Sequence, residues 1–473
     1  TTNDYFNNAR GRFIATDEEV ISGAKQVGDE RVPRPKLIRN IYGGSLGGPI
    51  KNNRAFFFYS FEGRRDAAEE SVIRDVPNAT LREGIVRYRC VVDSANPLCP
   101  ASGIRTLTPA DILALYPDTL GVNPVGLNVL RTAPLPNDLT SGDAALNRAG
   151  FRFNAPISVE LETHTARFDF TLTDRQSLFV RGNYQNDLLG RAPRFPTTPA
   201  PNLWVNPRGF VVGHSWTPTN TIVNNARVGL TRAGVTQQGD SDTASIGFRD
   251  VYVPFAYARG LKRTTPVWNL TDDVSWVKNT HTIQFGTNLR FIRNDRTSFA
   301  NSFDDALVNF SFYQTSGSSI LNAAPADLDP SFNRDYGTAV AAVLGRYSQF
   351  SINANFEISG QPLPVGTPAV RSLATQEYDF YAQDTWKITP NLTLSYGLRY
   401  GVETPVYERN GFQLVPDTNL GEFLERRIAS AAVGTPLNEP ISFNLGGRAN
   451  NAPDFYKKDK NNFAPHIAVA WSP

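Results

Sequence analysis

What the chain lacks narrows its class before any motif is read. Among 473 residues there is no methionine, and the sequence opens on Thr1, so a piece preceding it is expected. Nowhere do 18 consecutive apolar residues occur, which excludes a membrane-spanning helix. Spanning strands stay open, because they alternate lipid-facing and lumen-facing side chains and keep average hydropathy low. Charged residues make up only 19% and their formal sum is +2, which gives no pull toward nucleic acid. The four histidines, His164, His214, His281 and His466, are scattered, and none has the His-Glu-x-x-His spacing of a zinc enzyme. No metal and no cofactor is expected.

Cysteine is equally scarce. Cys90 and Cys99 stand nine apart in a stretch rich in Pro, Asn and Asp, without the further ligands a zinc site needs. Two readings remain: a small disulfide-closed loop in an oxidising compartment, or two free thiols. Chain entropy gives about 2.7 kcal/mol for closing a loop of roughly ten residues.

What is abundant is glycine (36), proline (33) and aromatics (11%), a composition of many strands and long loops. Ala166, Phe168, Phe170 and Leu172 alternate with Arg167, Asp169, Thr171 and Thr173. After Asp174-Arg175-Gln176, Leu178, Val180, Gly182 and Tyr184 alternate with Phe179, Arg181, Asn183 and Gln185. The same strand–turn–strand unit recurs after Trp216, Trp276 and Trp386. The last copy carries Leu392, Leu394, Tyr396, Leu398 and Tyr400 on one face.

Eleven strands follow from this patterning, near 38–50, 55–65, 159–173, 177–187, 208–217, 221–233, 265–277, 281–294, 372–386, 392–402 and 462–472. Short turns at one end oppose long connections near 66–158, 186–207, 233–264, 295–371 and 403–461. That asymmetry belongs to an outer-membrane barrel, whose long loops face outward. Short helices are expected at Asp111–Tyr116 after Thr108-Pro109, and at Thr338–Gly345. Residues 1–37 read as an extended, Pro-punctuated connector.

If the apolar set faces lipid, then Arg167, Asp169, Arg181, Asn183, Gln185, Arg227, Asn288, Arg290 and Arg399 line the lumen. Trp216, Trp276 and Trp386 then form an aromatic girdle at the short-turn end, where indoles favour the hydrocarbon–headgroup boundary. The competing reading is a soluble sheet with solvated polar residues. Gly43-Gly44-Ser45-Leu46-Gly47 formally matches a nucleophile elbow, but Pro49 and an aromatic strand follow instead of a helix. Asp272 and Asp273 are neighbours on a strand and point to opposite faces, so they cannot act jointly as acid and base. Asp240, Asp242, Asp327 and Asp329 are possible calcium ligands, with solvated loop carboxylates as the plainer reading.

Four stretches carry a family resemblance. Gly43-Gly44-Ser45-Leu46-Gly47-Gly48-Pro49-Ile50, Lys51 and Phe56-Phe57-Phe58 resemble the start of the barrel in TonB-dependent outer-membrane receptors of the Oar-like type. Glu377-Tyr378-Asp379-Phe380-Tyr381-Ala382-Gln383-Asp384-Thr385-Trp386-Lys387 and Leu392 to Tyr400 resemble two consecutive later strands. Residues 462–471 resemble another, with His466 where that pattern carries Arg.

The resemblance implies an all-β fold: part of an antiparallel transmembrane barrel, about half of roughly 22 strands, spanning residues 38–473. It implies a plug domain and a TonB-contacting segment before Thr1, TonB and outer-membrane lipid as partners, and a monomer without enzymatic activity. Siderophores, cobalamin and glycans are the cargo classes it suggests. A surface-adhesion or export-related barrel is the first alternative, and a secreted β-rich enzyme the second.

Overall fold

The computed structural model describes residues 36–91, 99–240, 242–255, 258–310 and 320–472. Of the connector read over 1–37, residues 1–35 lie outside that range.

Eleven long strands form one antiparallel meander. They are β1 (Leu37–Lys51), β2 (Ala55–Pro77), β3 (Arg148–Thr173), β4 (Gln176–Leu189), β5 (Arg208–Thr219), β6 (Ile222–Gln237), β7 (Leu261–Lys278), β8 (His281–Ser298), β9 (Ala369–Thr389), β10 (Leu392–Glu403) and β11 (Asn462–Trp471). Each pairs with its sequence neighbours. Five tight turns at one end, 52–54, 174–175, 220–221, 279–280 and 390–391, hold the register. At two of them an asparagine takes the left-handed region, Asn53 at φ 58° and Asn279 at φ 56°, a conformation asparagine tolerates better than most residues.

Several strands run further than their alternation indicates. β2 and β3 pair continuously from Ala55↔Phe170 to Pro77↔Arg148. At about 3.3 Å per residue the 23 residues of β2 reach roughly 75 Å, whereas a tilted strand needs only about 9–11 residues to cross a bilayer. The connection expected over 66–158 therefore spans only 78–147. The one expected over 186–207 is also interrupted, since Leu203–Val205 pairs with both β4 and β6 ahead of β5. Pro207 cannot donate to a ladder, and the chain breaks step there before β5 begins.

Apart from Val76 at the end of β2, the buried core lies outside the large sheet. Four long connections fold together around Leu81, Tyr88, Ile112, Leu130, Phe195, Val253 and Tyr336, each at most 1% exposed. Besides the single helical turn Ala79–Arg82, three helices serve this cap among the described residues: α1 (Pro109–Leu115), α2 (Pro124–Arg131) and α3 (Asn333–Leu344). α1 starts with a full capping box, Thr108 and Asp111 each bonding the other's backbone N–H. α3 begins five residues earlier than read, fed by a turn that Asp329 caps. From Tyr336 to Leu344 it is buried on every side, as small residues such as Gly337, Ala339 and Ala341 allow. It ends at Gly345, whose φ of 58° suits a glycine stop.

A further helix, α4 (Leu420–Ala432), lies in the connection after β10. Neither α2 nor α4 has a counterpart in the sequence reading.

Candidate functional site

Ladder pairing decides which side chains share a face, since directly paired residues point the same way. One line across the sheet runs Phe57, Phe168, Val180, Val212, Val228, Leu270, Leu289, Tyr378, Val402. Every member is apolar or aromatic. The adjacent line runs Phe56, Asp169, Phe179, Gly213, Arg227, Thr271, Asn288, Asp379, Gly401. Its side chains point to the opposite face and most are polar or absent. Arg167, Asp169, Arg181, Asn183, Arg227, Arg290 and Arg399 all fall on this second face, alternating along their strands with the apolar set.

On that face the charges are largely paired. Arg167 binds Asp169 at 2.7 Å and lies over the Phe179 ring. Arg290 meets Glu377 at 2.5 Å, and Arg399 meets Asp379 at 2.8 Å. Tyr381 donates its hydroxyl to Asp273 at 2.7 Å. Arg181 and Arg227 have no carboxylate partner among the described residues. Gly286 sits beneath Tyr381, so a Cβ there would come within 2.7 Å of that ring.

The apolar face is not empty of polarity. Asp272 accepts from Asn224 at 2.5 Å, on the side opposite Asp273. Near the tight turns, His281 contacts Asp384 at 2.6 Å and stacks on Trp386, the ring centroids 5.2 Å apart. Tyr396 donates to the same Asp384. The four histidines lie on β3, β5, β8 and β11 and do not converge.

Trp216, Trp276 and Trp386 stand on this apolar face near three tight turns. Trp216 is in line with Val274, two residues before Trp276. Trp276 is in line with Asp384, two residues before Trp386. Each indole thus steps one same-face position per hairpin, the stagger of strands tilted to a common axis.

At the long-connection end the cap is pinned by polar groups as well as by its core. Arg152 of β3 binds Asp138 at 2.7 Å with both side chains nearly fully buried. Breaking one partner of such a pair leaves a buried charge uncompensated, at about 3–5 kcal/mol. Arg148 joins β3 to Asp335 of α3 at 2.5 Å. Tyr88 and Arg105 both donate to Asp327 at 3.0 Å, and burial drives the Tyr88 hydroxyl well above its usual range. Cys90 and Cys99 form a disulfide, their Cα atoms 5.8 Å apart, while Cys90 also bridges in backbone to Leu328.

Three of the four aspartates weighed as calcium ligands, all but Asp242, are otherwise engaged. Asp327 serves this network, Asp329 accepts from Ser331, and Asp240 accepts from Ala258. Ser45 lies within an uninterrupted β1 opposite Ser60, not on a strand-to-helix turn.

Clefts open at the same end. One of about 1000 Å³ lies between α1, α2 and Arg346-Tyr347, and one of about 570 Å³ between Arg74, Arg194 and Tyr252. Neither was visible in sequence, because each wall comes from a different connection.

One large staggered antiparallel sheet, mostly apolar on one face and ion-paired on the other, has the pattern of an outer-membrane β-barrel wall. Residues 3–473 match the family described as outer membrane beta barrel domain, and the chain belongs to that family. No curated protein matches it in sequence. Among solved structures it is similar to the outer membrane transporter YddB from Escherichia coli, at 11% identity over 84% of this chain and 39% of that one, with a TM-score of 0.40. It is also similar to the ferripyoverdine receptor of Pseudomonas aeruginosa, at 10% identity over 94% and 41%, with a TM-score of 0.36. The ferric yersiniabactin uptake receptor FyuA from Yersinia pestis gives 7% identity over 92% and 43%, with a TM-score of 0.31. The chain therefore spans about two fifths of the length of these structures.

Proposed function

We propose that this chain is the barrel portion of a TonB-dependent outer-membrane transporter that captures a scarce ligand at its capped outer end. The observation that carries the reading is the pair of adjacent ladder lines, one wholly apolar and one mostly polar or bare, in a sheet with no second large layer among the described residues. Apolar side chains in such a sheet suit a lipid surround, which supports reading the ion-paired face as the lumen wall. There Arg181 and Arg227, without carboxylate partners, would meet water or a plug.

The outer edges of β1 and β11 have no strand partner among the described residues. Unpaired backbone groups are costly in hydrocarbon, so further strands, about as many again, would close the barrel. Trp216, Trp276 and Trp386 would sit at the periplasmic boundary. The chemistry needed is binding and passage, with no covalent step and no cofactor.

A surface-adhesion barrel is the second reading, and the packed cap favours it, since a folded outer end can hold a partner without opening. Membership in an outer-membrane barrel family argues against the secreted enzyme. The full-length protein in detergent should retain the purified periplasmic domain of TonB, with the complex detected by co-elution. An adhesion barrel would let that domain elute alone, and such a result would remove the transport reading.

A further inference from the structure

The cleft of about 570 Å³ is lined by Arg74, Arg194, Arg249, Tyr252, Asp240 and Asp250, among others. Its size falls within the roughly 300–1,000 Å³ of small-molecule sites. Four separate stretches meet there: the outer end of β2, and the connections following β4, β6 and β8.

The wall is built rather than incidental. The Tyr252 ring is flanked by two guanidiniums, Arg74 at 5.2 Å and Arg194 at 5.0 Å from its centroid. Backbone bonds hold all three in place. Arg74 Nε donates to the carbonyl of Arg194, Arg194 Nε donates to the carbonyl of Val253, and the Tyr252 amide donates to Asp75. Phe248 and Val251, both buried, belong to the same wall, and Val253 beside them is fully buried.

The charge balance points one way. Asp250 is paired with Arg334 at 2.8 Å, so Asp240, which accepts the Ala258 amide, is the lining carboxylate left to set against the guanidiniums of Arg74, Arg194 and Arg249. The guanidiniums of Arg74 and Arg249 have no carboxylate partner among the described residues, so both keep planar N–H donors for a ligand. A guanidinium fork matches carboxylate and phosphate geometry, and a ring between two cations holds them at a fixed spacing.

We infer that this cleft binds a small oxyanion, a compound bearing carboxylate or phosphate groups, through Arg74 and Arg249 beside Tyr252. The inference rests on the capture role proposed above for the outer end and gives that role a ligand class.

The test uses full-length protein in detergent at low salt, titrated calorimetrically with citrate in one arm and pyrophosphate in the other. Binding in either arm is expected, with the stronger arm separating a carboxylate from a phosphate source. Arg74→Gln and Arg249→Gln should each weaken it on the order of tenfold or more, the loss of one charge-assisted bond. Arg131→Gln, which removes an exposed arginine paired with Glu83, should leave it unchanged, and Tyr252→Phe should retain it. Heat-modifiable gel mobility shows that each variant still forms its barrel. No binding in either arm, or equal loss in Arg131→Gln, overturns the inference. That failure leaves TonB co-elution untouched, whereas loss of co-elution with oxyanion binding intact would remove only the transport role.

Discussion

Asp111 and Asp143 are two cap carboxylates whose surroundings act on them in opposite directions. The Thr108 hydroxyl and amide both donate to Asp111, holding its carboxyl below the usual range. Its stabilisation is therefore complete above the unfolded value near 3.8 and is lost as pH falls through the lower folded value. Burial lifts Asp143 instead, despite donation from the Asn147 and Arg148 amides. Its contribution is fullest below the ordinary carboxylate range and declines as pH rises through the raised value. Hydrogen exchange at Ile112–Tyr116 should accelerate, beyond the intrinsic rate change, as pH falls below the ordinary carboxylate value near 3.8. In Asp111→Asn that excess should vanish. Deeper in the cap, Tyr88→Phe leaves a buried oxygen of Asp327 without its donor, at a cost of about 1–3 kcal/mol. Tyr336, fully buried against Tyr88 and Tyr116, should cost about 3–5 kcal/mol when cut to Ala. Urea titration of the whole protein, followed by protease cleavage within the cap, reads both.

Among elements, β8 offers the sharpest test of which way the sheet faces. Phe285 lies on the apolar face and is 44% exposed, while its neighbour Gln284 shares the polar face with Gln383. Phe285→Arg should cost about 2–4 kcal/mol near the bilayer midplane, and Gln284→Arg should be near neutral. Folded fraction in lipid vesicles, read by heat-modifiable mobility against urea, separates them. Equal costs would contradict the lipid-facing assignment. The β1–β2 hairpin has a second vulnerability, because the Tyr42 ring lies across Gly63 and a Cβ there would come within 2.6 Å of it. Gly63→Val should cost about 1–3 kcal/mol through overpacking, seen as a lower urea midpoint in the same assay.

For the whole molecule, the barrel strands and the cap have different sources of stability. The sheet depends on ladder bonds and on its surrounding solvent, the cap on a buried apolar cluster and one disulfide. Replacing Cys90 and Cys99 with alanine should lower the cap's unfolding midpoint by the equivalent of about 2.7 kcal/mol of lost loop constraint. The barrel's transition should stay in place. Two separable transitions in calorimetry, with only the lower one moved, are the expected record.

The sequence by itself determined the eleven strands, their order and their tight turns. Period-2 alternation and turn residues act over a few neighbours, and Phe168 beside Asp169 states both faces at once. It also determined α1, because Thr108, Pro109 and Asp111 cap it within one turn. Only the tertiary structure decided how far β2 and β3 extend, where α2 and α4 lie, and that four connections form one cap. Tyr88, Phe195, Val253 and Tyr336 are far apart in the chain, and no local period marks residues whose burial depends on one another. The cleft around Tyr252 follows the same logic: Arg74, Arg194 and Arg249 are unremarkable singly, and acquire a shared role only where the fold brings them to one wall.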